Sequence, residues 1–153
     1  FLTDGEVEEV FAHGSCLVDP VFEELGDVDT AVVTIKMKNG VLATIENCRI
    51  SAYGYDQRAE VFGDKGMAFI GNDINDTICV ATEEGYQTER YYGFFLERYM
   101  NAYIRELSAF VDSVQNDKPV IVSIEDGLKN QKVSIALTRS CKEGRPVRLD
   151  EIG

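Results

Sequence analysis

The chain has 153 residues, a formal net charge of −12 and 44% apolar residues. That length gives one domain with a core of its own. The acidic balance excludes nucleic acid and anionic membranes as partners, because a phosphate surface needs clustered Lys and Arg. No run of about 18 apolar residues offers a membrane span. The four cysteines, Cys16, Cys48, Cys79 and Cys141, lack the close spacing of a zinc site. They read as buried free thiols of a reducing cytoplasm. The chain starts at Phe1 with neither an initiator Met nor a signal peptide, so the expectation is a truncated segment of a longer cytoplasmic protein.

In chain order, residues 1–5 read as the end of a helix stopped at Gly5, and Val7–Val18 as a strand. The single histidine, His13, lies in that strand with no Asp or Ser partner nearby and reads as structural. Residues 19–27 read as a loop, with Pro20 barring continuous pairing. Asp29–Lys38 alternates: Ala31, Val33, Ile35 and Met37 face one way, Thr30, Val32, Thr34 and Lys36 the other. Asn39-Gly40 predicts a hairpin turn with positive backbone angles at both centres. Val41–Ile50 is its partner strand, with Val41, Ala43 and Ile45 on the apolar face. Leu42, Thr44 and Glu46 fall on the second face beside Val32, Thr34 and Lys36, a mixed surface that suggests partial burial.

Two further hairpin strands are expected at 67–71 and 77–81, and a last one at 86–90, as one meander. The acidic loop between the first two, residues 72–76, lacks the spacing of a calcium loop. From Leu96 to Val114 the apolar residues form one stripe at helical spacing. Ser123 then caps a second helix, with Asp126 in the capping-box position, and Gly144 and Pro146 close it. In that helix Val133, Ala136, Leu137 and Ser140 share one side; Ile124, Leu128 and Ile135 lie roughly opposite. A short strand over 145–149 ends the chain. Hairpin-linked strands followed by two helices make an α+β domain, a largely antiparallel sheet with helices on one face.

The stretch Tyr53–Gly66, Tyr-Gly-Tyr-Asp-Gln-Arg-Ala-Glu-Val-Phe-Gly-Asp-Lys-Gly, is the densest in chemistry. Gln57–Phe62 alternates as a strand, and Gly63-Asp64-Lys65-Gly66 reads as a tight turn. Tyr53, Tyr55, Asp56 and Arg58 precede the strand as a crowd of donors and acceptors. They suit a polar ligand at the mouth of a sheet; a sheet edge decorated with tyrosines accounts for the same residues.

This motif resembles the C-terminal domain of the NAD(P)-dependent glucose–fructose oxidoreductase and inositol dehydrogenase family, and most of all its inositol 2-dehydrogenases. Three other stretches share the resemblance: Gly26-Asp27-Val28-Asp29-Thr30-Ala31, Lys38-Asn39-Gly40-Val41, and the closing Ser140, Gly144, Pro146, Val147 and Leu149. The resemblance covers nearly the whole chain. It implies an open-faced sheet with helices on one side, like the C-terminal domain of dihydrodipicolinate reductase, spanning 1–153. It also implies a complete enzyme that oxidises a polyol or sugar hydroxyl, myo-inositol foremost, by hydride transfer to NAD or NADP.

The family's Rossmann domain, with its G-x-G-x-x-G loop, has no counterpart here. Nor do its catalytic lysine or its active-site Asp and His. The expectation is therefore a segment with no catalytic or cofactor-binding residue of its own, inactive alone, that supplies one wall of a substrate pocket. Tyr53 and Tyr55 are the main candidates for that wall, with Arg58 and Tyr99 beside them. A strand ion pair accounts equally for Arg58, and core packing for Tyr99. In the family the second sheet face supports subunit association, so a homo-oligomer is expected through Val32, Thr34, Lys36, Leu42, Thr44 and Glu46. A stand-alone association module, or a family member acting on another sugar, are the alternative readings.

Overall fold

The computed structural model describes residues 2–153, as two compact units. Phe1, expected at the end of a helix, lies outside the described residues. The chain is α+β, with an antiparallel open sheet and helices.

The first unit comprises residues up to Ile50 and from Val122. Its sheet holds β1 (Val7–Ser15), β2 (Thr30–Met37), β3 (Leu42–Cys48) and the short β8 (Val147–Arg148), in the order β3-β2-β1-β8. All neighbours are antiparallel, and a bulge interrupts β1 between Val7 and Glu9. The β2–β3 turn differs from expectation at one residue. Gly40 alone takes a positive φ, of 87°, and its N–H donates to Met37 O at 3.0 Å. That is a three-residue loop with a left-handed glycine at its end.

The loop before β2 contains one helical turn, α1 (Val21–Glu24), not visible as periodicity because it is too short to carry any. Asp29 organises this loop. Its buried carboxylate accepts the N–H groups of Leu17, Val18 and Asp19 at 2.8–3.1 Å and the Thr30 hydroxyl at 2.8 Å. These donors, the Leu17 amide foremost, hold its carboxyl far below the usual carboxylate range.

Period-two alternation decides the faces of the sheet. Val10, Ala12, Val33 and Met37 are buried on one face, while Val32, Thr34, Lys36, Leu42, Thr44 and Glu46 stand exposed on the other. The inner face is covered by α3 (Ile124–Glu143), whose Ala136 packs with Val10 and Val147, flanked by Val133 and Leu137. Ser140 is fully buried; its hydroxyl accepts the Ala12 N–H at 3.0 Å and donates to Arg145 O at 2.6 Å. A Cβ on Gly14 would lie 2.8 Å from Cys141 Sγ, so the close approach of strand and helix requires glycine there. The capping box at Ser123 and Asp126 starts α3, and left-handed Gly144 ends it. Its opposite side, with Ile124, Leu128 and Ile135, is exposed. The chain closes on β8 and a 3-10 turn, Leu149–Glu151, shorter in strand than expected because Arg145 and Arg148 are drawn onto Glu151.

The second unit, Ser51–Ile121, holds two hairpins and a long helix. One hairpin pairs β4 (Ala59–Gly63) with β5 (Gly66–Ile70) across Asp64-Lys65; the other pairs β6 (Cys79–Thr82) with β7 (Gly85–Thr88). They are separate two-stranded ribbons and not one meander. Between them the loop's polar side chains bind nearby groups: Asp76 Oδ1 accepts the Ile78 N–H at 2.7 Å, and Asn72 accepts the Gln57 N–H and donates to the Asp56 carboxylate. Gln57 and Arg58 likewise precede β4 rather than joining it. The helix α2 (Phe95–Gln115) starts where Glu97 Oε2 accepts the N–H groups of Gly93 and Phe94. Cys48 and Cys79 are exposed and Cys16 and Cys141 half-buried, against the expectation of four buried thiols. Cys48 sits on the open outer face of β3, and a two-stranded ribbon has too little cover to bury Cys79.

Candidate functional site

The four residues singled out from the sequence, Tyr53, Tyr55, Arg58 and Tyr99, all fall in the second unit, and one carboxylate gathers part of them. Gly54 sets the approach. Its φ is +127°, and a Cβ there would come within 2.9 Å of Tyr91 Cβ and 3.1 Å of Tyr92 O. Only glycine fits this close passage in this conformation. The Tyr55 N–H then donates to Tyr92 O at 2.7 Å. Tyr53 meets Tyr91 edge-on at 6.2 Å, and Tyr55 meets Tyr99 edge-on at 5.6 Å.

Asp56 is the hub. Its carboxylate accepts the Tyr53 hydroxyl at 2.5 Å, Arg58 Nε and Nη2 at 2.9 Å each, and Asn72 Nδ2 at 2.6 Å. Arg58 first, then Tyr53 and Asn72, hold its carboxyl far below the usual range. Asp56 in turn raises the Arg58 pKa. The other end of Asn72 accepts the Gln57 N–H at 2.8 Å, and the Tyr99 hydroxyl donates to Gln57 Oε1. Burial, with the neighbouring Tyr55, pushes the Tyr99 pKa up. Behind them Arg98, only 15% exposed, binds Asp73 at 2.8 Å and lies 5.8 Å from the Tyr99 ring.

Chemically this is a binding surface. Asp56 is held ionised and Tyr99 protonated, so neither is tuned to exchange a proton near neutrality. Tyr53 and Tyr99 spend their protons inward and offer lone pairs outward. Arg58 has Nη1 left to donate. The ion pair with the neighbouring Asp56 accounts for part of Arg58, although both residues precede the strand. Gln57 and Asn72 were missed as site residues; Asp56 was grouped with the tyrosines and Arg58 in the sequence but not assigned to the wall.

The residues present do not fit a dinucleotide. The N-termini of α2 and α3, where phosphate would sit, are already occupied by the carboxylates of Glu97 and Asp126. Among the described residues no three His, Cys, Asp or Glu side chains converge as metal ligands. A second concavity of about 960 Å³ lies in the first unit, between the residues around Glu6 and those around Lys129. Several of its charges pair with one another, Glu6 with Lys38 at 2.8 Å and Glu8 with Arg148 at 3.1 Å. Among the described residues no helix is long and apolar enough to cross a membrane.

Fold and motif together define an oxidoreductase C-terminal module. The chain belongs to the oxidoreductase family's C-terminal alpha/beta domain, whose family model matches residues 1–149. It is 45% identical over 152 residues to a myo-inositol 2-dehydrogenase of Thermotoga maritima, covering 99% of this chain and 46% of that protein. A crystal structure of a probable dehydrogenase from Thermotoga maritima superposes with a TM-score of 0.94 at 46% identity, over 97% of this chain and 45% of the other. A scyllo-inositol dehydrogenase from Lactobacillus casei, solved with bound NAD(H) and scyllo-inositol, gives 0.88 at 29% identity, over 97% and 44%. The chain thus spans under half the length of the relatives it matches.

Proposed function

We propose that this chain is the C-terminal domain of an NAD-dependent inositol dehydrogenase, probing its substrate with a wall of Tyr53, Tyr55, Arg58 and Tyr99. The whole enzyme removes a hydride from a ring carbon of myo-inositol and passes it to NAD, in the cytoplasm. Whole-chain similarity to a myo-inositol 2-dehydrogenase is the observation that carries this reading. The tyrosine geometry supports it, because a polyol donates hydroxyl protons and Tyr53 and Tyr99 present acceptors. Flat apolar ring faces beside them suit the C–H faces of a saturated ring. The exposed outer face of the first unit's sheet, centred on Val32 and Leu42, supports homo-oligomer formation.

The test is turnover by the complete gene product with myo-inositol, scyllo-inositol and glucose, each with NAD and NADP. Oxidation of an inositol with NAD at a kcat/KM at least tenfold above glucose is expected. Preference for glucose would transfer the assignment to another sugar.

A further inference from the structure

Helix α2 carries a second surface that the tyrosine wall does not use. Leu96, Met100, Tyr103, Leu107, Phe110 and Val114 follow one another at alternating steps of four and three, a strict heptad seam over the helix. All six are 43–66% exposed. At roughly 150–250 Å² for a large side chain, this seam leaves on the order of 600 Å² of apolar surface in water. Ile104 and Val111, also exposed, widen it along one flank toward the ~800 Å² per partner of a stable interface.

Uncovered apolar patches of this extent mark association sites.

The seam is complementary to itself. In an antiparallel pair of helices, layers unite the first core position of one heptad with the second of the other. Pairing α2 with its own copy about a two-fold axis near Arg105 stacks Leu96 on Val114, Met100 on Phe110 and Tyr103 on Leu107. Each layer then occurs twice, every seam residue has a partner, and no charge enters the seam. We propose that α2 packs antiparallel against α2 of a second copy of this chain, an isologous contact distinct from the outer sheet face.

Sedimentation velocity of the 153-residue chain and its M100K/L107K variant, with circular dichroism as a check on the helix, tests this. The variant is expected to keep its helix and show half the mass of the parent. A crosslinking experiment keeps the test independent of that variant. Chains carrying Leu96→Cys and Val114→Cys are mixed and oxidised, and linked peptides are identified by mass spectrometry. A 96–114 link between chains is expected; a 96–96 link is not, because those positions lie about 27 Å apart along the antiparallel pair. A single-copy mass for the parent at about 100 μM, the outcome if the stripe serves the remainder of a longer protein, overturns the proposal. So does a mass unchanged by M100K/L107K, or the absence of the 96–114 link.

Discussion

The Tyr53 hydroxyl donates to Asp56 at 2.5 Å, and that one bond decides what Tyr53 can offer a ligand. A phenol has one proton; once it is given to a carboxylate, only oxygen lone pairs remain. Tyr99 makes the same commitment to Gln57. Tyr53 and Tyr99 are therefore acceptors, with the Arg58 guanidinium as a donor at their edge, a set matched to hydroxyl groups.

Asp56→Asn is the direct probe of the hub. Hydrogen bonds to a charged group contribute about 1.5–3 kcal/mol when shielded. Arg58 is 61% exposed, so solvent screens this pair and its contribution lies well below that. In the complete enzyme, KM for inositol is expected to rise roughly threefold to tenfold as Tyr53 and Arg58 lose their anchor, with the melting temperature down by a few degrees. Steady-state kinetics and thermal melts measure both; an unchanged KM would remove Asp56 from the account.

Stability should fall in acid in a defined window. Asp29 and Asp56 have folded-state values depressed far below ordinary carboxylates, and Glu151 is lowered from 4.5 to about 2 by Arg145 and the Arg148 N–H. Groups depressed in the folded state bind protons more readily when unfolded, so their contribution is complete above the unfolded values and is lost as pH falls from there through the folded ones. Urea midpoints are expected to be level from pH 7 to about pH 5 and to drop steadily toward pH 2. Asp29→Asn should flatten part of that drop and lower the midpoint at pH 7.

Ser140→Ala tests the joint between helix and sheet. It strands the buried Ala12 N–H and Arg145 carbonyl. Leaving such groups unpaired costs about 1–3 kcal/mol, read as a shift of the denaturant midpoint without a change of slope. A loss below about 0.5 kcal/mol would mean the backbone groups find other partners.

The outer sheet face is expected to associate. Val32→Lys with Leu42→Lys places four cations in a two-fold contact and should weaken self-association at least tenfold, by sedimentation equilibrium. Association unaffected by both substitutions would take this face out of the assembly.

Much of this was legible in the residues, where periodicity and punctuation act together. The alternation of Thr30–Met37, pinned by Asn39-Gly40, assigns both sheet faces correctly, Val32, Thr34, Lys36, Leu42, Thr44 and Glu46 included. Ser123 and Asp126 mark the start of α3 because a capping box is local chemistry. The hub was illegible, because Asn72 reaches Asp56 across 16 residues and loop partners follow no period. The separation of the two hairpins was hidden for a related reason: strand pattern shows that a segment pairs, not how far a ribbon continues. The seam of α2 was visible as a stripe, but periodicity shows only which side is apolar, never what covers it.

The central claim is that Tyr53 and Tyr55 orient the polyol. Replacing each with Phe in the complete enzyme removes one hydroxyl at little steric cost. A hydrogen bond to a neutral group contributes about 0.5–1.5 kcal/mol, so kcat/KM for myo-inositol is expected to fall roughly threefold to tenfold in each variant, with the affinity for NAD unchanged. Wild-type kcat/KM in both Tyr53→Phe and Tyr55→Phe would contradict the assignment.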